Sequence, residues 1–172
     1  MAPKGLKTTS SPLQISSRVT ETANNTFTFT EIPLTLNVLD NEVFVITQLN
    51  IDCDAPDLTA GNTATVATLS STERVTVGDI GDSNVIGSSQ REIVTDVAGP
   101  STSHVAFDRE DPLFAAISED YLGIVATNNM FLNVVGVGNV NQKRAKVRVY
   151  GYRASASAAV YAALVQSELL SA

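Results

Sequence analysis

The chain has 172 residues, enough for one domain with a sizeable core, and 44% of them are hydrophobic, which excludes a wholly disordered protein. Its formal net charge of −7 argues against nonspecific DNA binding by the whole surface, and its single cysteine, Cys53, excludes an internal disulfide framework. The first residues lack the apolar core of a signal peptide, and no run of 18 apolar residues occurs. We therefore expect synthesis in the cytoplasm and no membrane-spanning helix.

The first third of the chain predicts a flexible arm followed by short strands. Residues 1–12 are rich in Pro, Gly, Ser and Thr, a composition typical of a flexible arm. Segments 13–19 and 26–30 alternate apolar and polar residues, which predicts strands. Segment 42–52 is the strongest candidate for a central strand. Its alternation predicts one face with Val43, Val45, Thr47, Leu49 and Ile51 and another with Phe44 and Ile46.

The middle of the chain continues with short strand-like segments separated by glycines and prolines. They lie at 63–69, 74–77, 84–86, 91–97, 113–117, 122–126 and 130–137. Eight or more short strands with turns every eight to twelve residues favour an all-β sandwich or barrel. The intervening stretches are too short and too polar for crossover helices, which argues against an α/β sheet. We therefore predict one β domain over residues 13–153.

Segment 143–153 closes that domain and carries five of the eleven basic residues. Its residues alternate between apolar Ala145, Val147 and Val149 and cationic Arg144, Lys146 and Arg148. Because a strand turns successive side chains to opposite faces, one face is predicted to be buried and the other to be positively charged. Such a face in an acidic chain suggests contact with an acidic surface, either another copy of the chain or a nucleic acid. The alternative is a charged face that only keeps the strand soluble.

Residues 154–172 are rich in Ala and Leu and contain no Gly or Pro, which predicts a helix with Ser155 or Ser157 as N-cap. Such a helix is too short to cross a bilayer comfortably. Apolar residues surround nearly all of it, so it is expected to be buried on more than one side, against a neighbouring subunit. The alternative is packing across an open end of its own domain. The candidate interface residues of the chain are Arg144, Lys146, Arg148, Val160, Leu164 and Leu169.

No catalytic, cofactor or metal site is predicted. The only histidine, His104, is not accompanied by a Gly-x-Ser-x-Gly nucleophile motif, and one histidine with one cysteine cannot supply a typical zinc site. A Cys53–His104 dyad is the remaining nucleophilic pair, and ordinary structural roles are favoured for both residues. Asp52, Asp54 and Asp57 could offer oxygen ligands to a hard cation, but their spacing lacks the glycine and distal glutamate of an EF-hand. A solvated acidic loop is the favoured interpretation.

Two segments near the end of the chain carry a resemblance to a known family. Residues 120–136, a short Gly/Asn turn, and the phrase Lys-Val-Arg-Val-Tyr-Gly-Tyr-Arg at 146–153 resemble the closing hairpin of viral jelly rolls. They are similar to the small major capsid proteins of tailless icosahedral viruses of archaea and bacteria. The resemblance implies a single eight-stranded jelly roll that packs into capsomers and a shell, sometimes close to an internal membrane. The apolar carboxy-terminal segment has no counterpart in it.

The expected function is therefore structural and non-enzymatic: a capsid subunit that associates with its own copies and with other capsid proteins in a virion. No sequence-specific nucleic acid binding is expected. A minor capsid or decoration protein and a lectin-like or adhesin-like β-sandwich module remain as alternatives. A cupin-type enzyme shares the jelly roll but needs two or three metal-binding histidines, and this chain has one.

Overall fold

A computed structural model describes residues 5–96, 103–110 and 121–170. Within these ranges the chain forms ten strands, one short 3₁₀ turn (Val38–Asp40) and one helix, α1 (Ala158–Leu170). The strands are β1 (Leu6–Thr8), β2 (Leu13–Thr20), β3 (Thr28–Pro33), β4 (Glu42–Cys53), β5 (Thr63–Ser70), β6 (Val85–Asp96), β7 (Ser103–Glu110), β8 (Gly123–Val125), β9 (Asn129–Val137) and β10 (Arg144–Ala156).

The strands form two antiparallel sheets of five strands each. In the first sheet, β1 and β2 both pair with one side of β10, and β4 and β8 follow on its other side. The second sheet has the order β3-β9-β5-β6-β7. The predicted all-β sandwich with a carboxy-terminal helix is confirmed. The described residues form ten strands rather than the predicted eight, because β1 and β7 are added to the sheets.

The strand pairs are nested along the chain. Strand β2 pairs with β10, β3 with β9, β4 with β8, and β5 with β6. The second half of the chain therefore runs antiparallel to the first half. Successive strand pairs belong alternately to the first and the second sheet. Each sheet therefore contains strands from both the early and the late parts of the sequence.

Several boundaries differ from the predicted ones. Most of segments 84–86 and 91–97 lies in one strand, β6, and segment 74–77 is not a strand. Predicted strand 113–117 lies outside the described residues. The strand β7 was not predicted, and it pairs with β6 over eight residues.

The core lies between the two sheets, and β10 contributes one face to it. Ala145, Val147 and Val149 are buried there against apolar residues of β4, β5 and β9. The intervening Arg144, Lys146 and Arg148 are exposed on the other face, as the alternation predicts. A slip of one residue in this strand would bury three cations, so the apolar face fixes its register.

A β-bulge in β4 changes which side chains enter the core. Tyr150 pairs with Gln48 and Gly151 with Ile46, so Thr47 has no partner in the ladder. An extra residue puts the side chains before and after it out of alternation. Leu49, Ile51, Val147 and Val149 are buried between the sheets as predicted, whereas Val43 and Val45, also expected in the core of the sandwich, are buried on the outer face of the first sheet.

The bulge also corrects one prediction about β4. Leu49 and Ile51 face the core together with Phe44 and Ile46, whereas Val43 and Val45 lie on the outer face beneath α1. The prediction that Val43 and Val45 share a face with Leu49 was therefore wrong. Alternation holds within each half of the strand but not across the unpaired residue.

The predicted flexible arm over residues 1–12 contains β1. Leu6 pairs with Ala156 and Thr8 with Ala154, and the Thr9 and Ser10 amides donate to the Arg153 carbonyl. Strand β2 covers β10 only as far as Gly151, so β1 satisfies backbone groups that the rest of β10 would leave unpaired. This pairing orders residues that composition alone assigns to an arm.

The helix begins at Ala158 rather than at residue 154, because residues 154–156 continue β10. The Ser157 hydroxyl accepts from the Val160 amide at 3.4 Å, so Ser157 is the N-cap. One side of the helix packs on the outer face of the first sheet through Val160, Tyr161, Leu164 and Val165. The helix therefore packs on its own domain, the alternative to the expected neighbouring subunit. No described helix is long and apolar enough to cross a membrane.

A buried carboxylate ties together three segments at one end of the sandwich. Glu21 is 2% exposed. Its Oε1 accepts from the Thr26 amide at 3.1 Å and the Gly136 amide at 2.6 Å, and its Oε2 accepts from the Lys143 amide at 2.8 Å. These three donors precede β3, lie within β9 and precede β10, so one side chain joins both sheets.

Candidate functional site

The outer face of the first sheet has an apolar half and a polar half. Helix α1 packs on the apolar half, where Val43, Val45 and Ala154 lie. The other half, formed by β2, β10 and β4, is a groove of about 540 Å³. We call it the basic groove; its polar lining includes Ser16, Arg18, Asn50, Asp52, Lys146 and Arg148.

Strand register places these side chains in two rows across the groove. Lys146 lies opposite Arg18 of β2 on one side and Asp52 of β4 on the other. Arg148 lies opposite Ser16 and Asn50 in the same way. Two of the predicted interface cations are thus joined by Arg18, which sequence reasoning did not single out. Its place within the alternating segment 13–19 was the available indication.

The carboxylates near the groove neutralise only part of its positive charge. Arg144 Nε lies 2.9 Å from Asp54 Oδ2, and Lys146 Nζ lies 3.5 Å from Asp52 Oδ2. Both pairs are exposed, so each stabilises the fold by about 0–1 kcal/mol. Within the described ranges, Arg18 and Arg148 make no ion pair with a carboxylate.

The remaining basic residues of segment 143–153 have structural roles. Lys143 is buried, and its Nζ donates to Asp57 Oδ1 at 2.7 Å and to the Ala55 carbonyl at 3.0 Å. Arg153 donates to the Leu34 carbonyl and to Thr35 Oγ1. The predicted row of cations is therefore divided, and only its central part is available to a partner.

The acidic loop is occupied by cationic side chains of the same chain. The hydrogen bond from Lys143 lowers the pKa of Asp57, and the Asn141 and Val140 amides act in the same direction. Asp52 and Asp54 face Lys146 and Arg144. Among the described residues, no group of three or more His, Cys, Asp or Glu side chains could hold a metal ion.

Cys53 and His104 have separate environments. Burial raises the pKa of the Cys53 thiol, which lies in the core 3.5 Å from Ser89 Oγ. A protonated thiol is a weak nucleophile at neutral pH. His104 lies on β7 with its Nδ1 3.0 Å from Thr95 Oγ1. The two residues have different hydrogen-bond partners, and this geometry gives no support to a dyad.

Two of the three interface candidates of the helix lie against the first sheet. Val160 and Leu164 are half-buried there, and the side chain of Leu169 is outside the described part of the chain. Sequence reasoning missed Glu168, whose Oε1 accepts from the Ala126 amide at 2.9 Å. Burial raises the pKa of Glu168, and hydrogen bonds from Ala126 and Thr127 oppose that shift. A lone carboxylate in an otherwise apolar helix was the indication available in the sequence.

The outer face of the second sheet carries exposed apolar side chains, which we call the apolar strip. Phe29 is 38% exposed, Val137 53%, Val105 54% and Phe107 57%. Phe29 also contacts Phe131, with ring centroids 5.9 Å apart. These residues come from β3, β9 and β7, and strand register places Glu92 of β6 on the same face beside Phe107. The predictions did not include the apolar strip, because β7 was not recognised.

Comparison with known proteins finds a similar solved structure but no matching family or curated protein. No protein-family model matches the sequence, and a comparison with curated proteins finds no match. Among solved structures, the chain is similar to one of desmodium yellow mottle tymovirus, with 9% sequence identity and a TM-score of 0.30. The match covers 91% of this chain and 93% of that chain. A TM-score of this size leaves the function to be argued from the residues themselves.

Proposed function

We propose that the chain is a structural capsid subunit, a jelly-roll domain that self-associates into capsomers of an icosahedral shell. The observation that carries the proposal is the apolar strip on the second sheet. Exposed apolar residues are common singly, but four of them on one sheet face favour an interaction surface. Fully burying a Val or Phe side chain stabilises by about 1.5–3 kcal/mol, so association of this face is favourable.

The nested strand pairing supports the jelly-roll assignment. In a jelly roll, one long antiparallel hairpin is folded over on itself. Counted from the ends of the chain inwards, its first and third strand pairs lie in one sheet and its second and fourth strand pairs lie in the other. The orders β2-β10-β4-β8 and β3-β9-β5-β6 have this form, and β1 and β7 are additions at the edges. Jelly rolls of this kind occur in viral capsid proteins, lectins and cupins.

The environments of the potentially reactive side chains favour a structural role over catalysis. The thiol of Cys53 is buried, Asp57 is paired with Lys143, and Glu168 is hydrogen-bonded beneath the helix. Each is engaged within the domain. The partners proposed for the chain are further copies of itself and other proteins of the shell, and its proposed location is the virion.

The test compares assembly of the wild-type chain with that of two variants. A Val105→Glu/Phe107→Glu variant places two charges on the strip, and Leu39→Glu is the matched control, since Leu39 is 93% exposed but lies on the 3₁₀ turn. Size-exclusion chromatography with light scattering and negative-stain microscopy give the oligomeric state, and circular dichroism checks the fold.

Discrete oligomers or particles are expected for the wild type and for the control, and monomers for the double variant. If the wild-type chain is monomeric at every accessible concentration, the capsid proposal is wrong. A monomer that binds a glycan would instead support a lectin-like module.

A further inference from the structure

We propose that the basic groove binds the phosphodiester backbone of single-stranded nucleic acid without reading its sequence. The groove and the apolar strip lie on the outer faces of different sheets, so both can be occupied at once. The proposal does not depend on the capsid function, because it concerns a surface that self-association through the strip leaves open.

The first argument is the repulsion between neighbouring cations in the first sheet. Arg18 and Lys146 are direct neighbours in the antiparallel pairing of β2 with β10. Like charges directly opposite each other destabilise a sheet. Asp52 compensates one side of Lys146, at 3.5 Å, and no described carboxylate pairs with Arg18 or Arg148. A bound anion between the strands would relieve this repulsion.

The second argument is the spacing of the cations and of the neutral donors between them. Lys146 and Arg148 are two residues apart on one strand, roughly 7 Å. Successive phosphates along a nucleic-acid strand have a similar separation. The Ser16 hydroxyl and the Asn50 amide flank Arg148 in register, and phosphate oxygens accept hydrogen bonds from both kinds of group.

The third argument separates nucleic acid from other polyanions. The site crosses three neighbouring strands, β2, β10 and β4, and presents its cations in two adjacent rows. Its described lining has three cations and one carboxylate, and its single apolar residue, Val147, is buried in the core and cannot insert into lipid. An isolated acidic side chain of a protein needs one cation, whereas this groove offers a repeated row.

The experiment measures binding of a labelled oligothymidylate of about 20 nucleotides by fluorescence anisotropy over a range of salt concentrations. Each phosphate contact contributes about −0.7 to the slope of log affinity against log salt for a single strand. Three cations predict a wild-type slope of about −2, and an Arg18→Gln/Arg148→Gln variant should reduce its magnitude by about 1.4. We expect at least a tenfold loss of affinity in that variant at low salt.

Arg109→Gln is the matched control, because Arg109 is exposed on β7 of the other sheet, and it should bind like the wild type. The strip variant Val105→Glu/Phe107→Glu should also keep its affinity, which separates this proposal from the capsid proposal. The inference is overturned if the wild type does not bind at low salt, or if the groove variant keeps the wild-type slope. Preferential binding of polyglutamate or of phosphatidylserine vesicles, lost in the same variant, would also overturn it.

Discussion

Replacing the buried Glu21 tests how one carboxylate joins the two sheets. In a Glu21→Gln variant, the side chain keeps its shape but exchanges one acceptor oxygen for an NH₂ donor. Glu21 accepts three backbone hydrogen bonds, so at least one N–H then faces another donor in a buried site. Hydrogen bonds to charged groups contribute about 1.5–3 kcal/mol each, and the variant loses one of them together with the charge. We expect the free energy of unfolding to fall by about 3 kcal/mol.

Removing the carboxylate entirely should cost more. Glu21→Ala leaves three N–H groups without their acceptor, at about 1–3 kcal/mol each, which is comparable to the whole stability of a small domain. The measurement is urea unfolding followed by far-UV circular dichroism and tyrosine fluorescence, because the chain contains no tryptophan. Glu31→Gln is the control, since Glu31 is exposed and bonded only to Asn129 Nδ2 among the described contacts. A Glu21→Gln variant within about 0.5 kcal/mol of the wild type would refute this reasoning.

Three further predictions concern the helix, the bulge and the acidic loop. Burial raises the pKa of Glu168, so its contribution to stability is fully present below the usual glutamate pKa of about 4.3 and is lost as pH rises through the folded pKa. Glu168→Gln should therefore reduce the change in urea midpoint between about pH 4 and about pH 7.5, and an unchanged difference would contradict this. Gly151→Ala would place a Cβ atom in steric clash with the carbonyl oxygen of Val45 in β4 and should cost about 3 kcal/mol or prevent folding. Gly123→Ala is its control, because that Cβ atom would lie 3.6 Å from its nearest neighbour, and equal stabilities of the two variants would argue against the close approach. The hydrogen bond from Lys143 lowers the pKa of Asp57, so its contribution to stability is present at neutral pH and is lost as pH falls through the folded pKa. Asp57→Asn should be less stable than the wild type at pH 7, and the difference should shrink as pH falls below the usual aspartate pKa of about 3.9, which a series of thermal unfolding curves will show.

The sequence predicted best where a single periodicity governs a whole element. Residues Ala145, Val147 and Val149 enter the core because nothing interrupts the alternation of β10 in that stretch. In β4 the same rule fails at Thr47, since a bulge depends on how the partner strand approaches and has no mark in local composition. The predicted start of the helix at residue 154 is wrong for a related reason. Ala154 and Ala156 have a high helix propensity, but pairing with β1 and β4 keeps them in a strand.

The candidate site could be predicted only in part, because charge pairing joins residues far apart in the sequence. Arg144 and Asp54 are 90 residues apart, and Lys143 and Asp57 are 86 residues apart. Composition shows that cations and carboxylates are present but not which of them meet. The strand alternation placed Lys146 and Arg148 on one face, and only the register of β2 added Arg18 to them.

The position of β10 has a consequence for synthesis of the chain on the ribosome. This strand occupies the middle of the first sheet and pairs with β1, β2 and β4, although at least 143 residues are made before it. Until β10 emerges, the first two strands lack their partner in this sheet, and the second sheet has no complete opposing layer. Contacts that close such long loops form slowly. The nascent chain must therefore remain soluble with its apolar faces uncovered, and folding is completed only after release of the segment around residues 144–156.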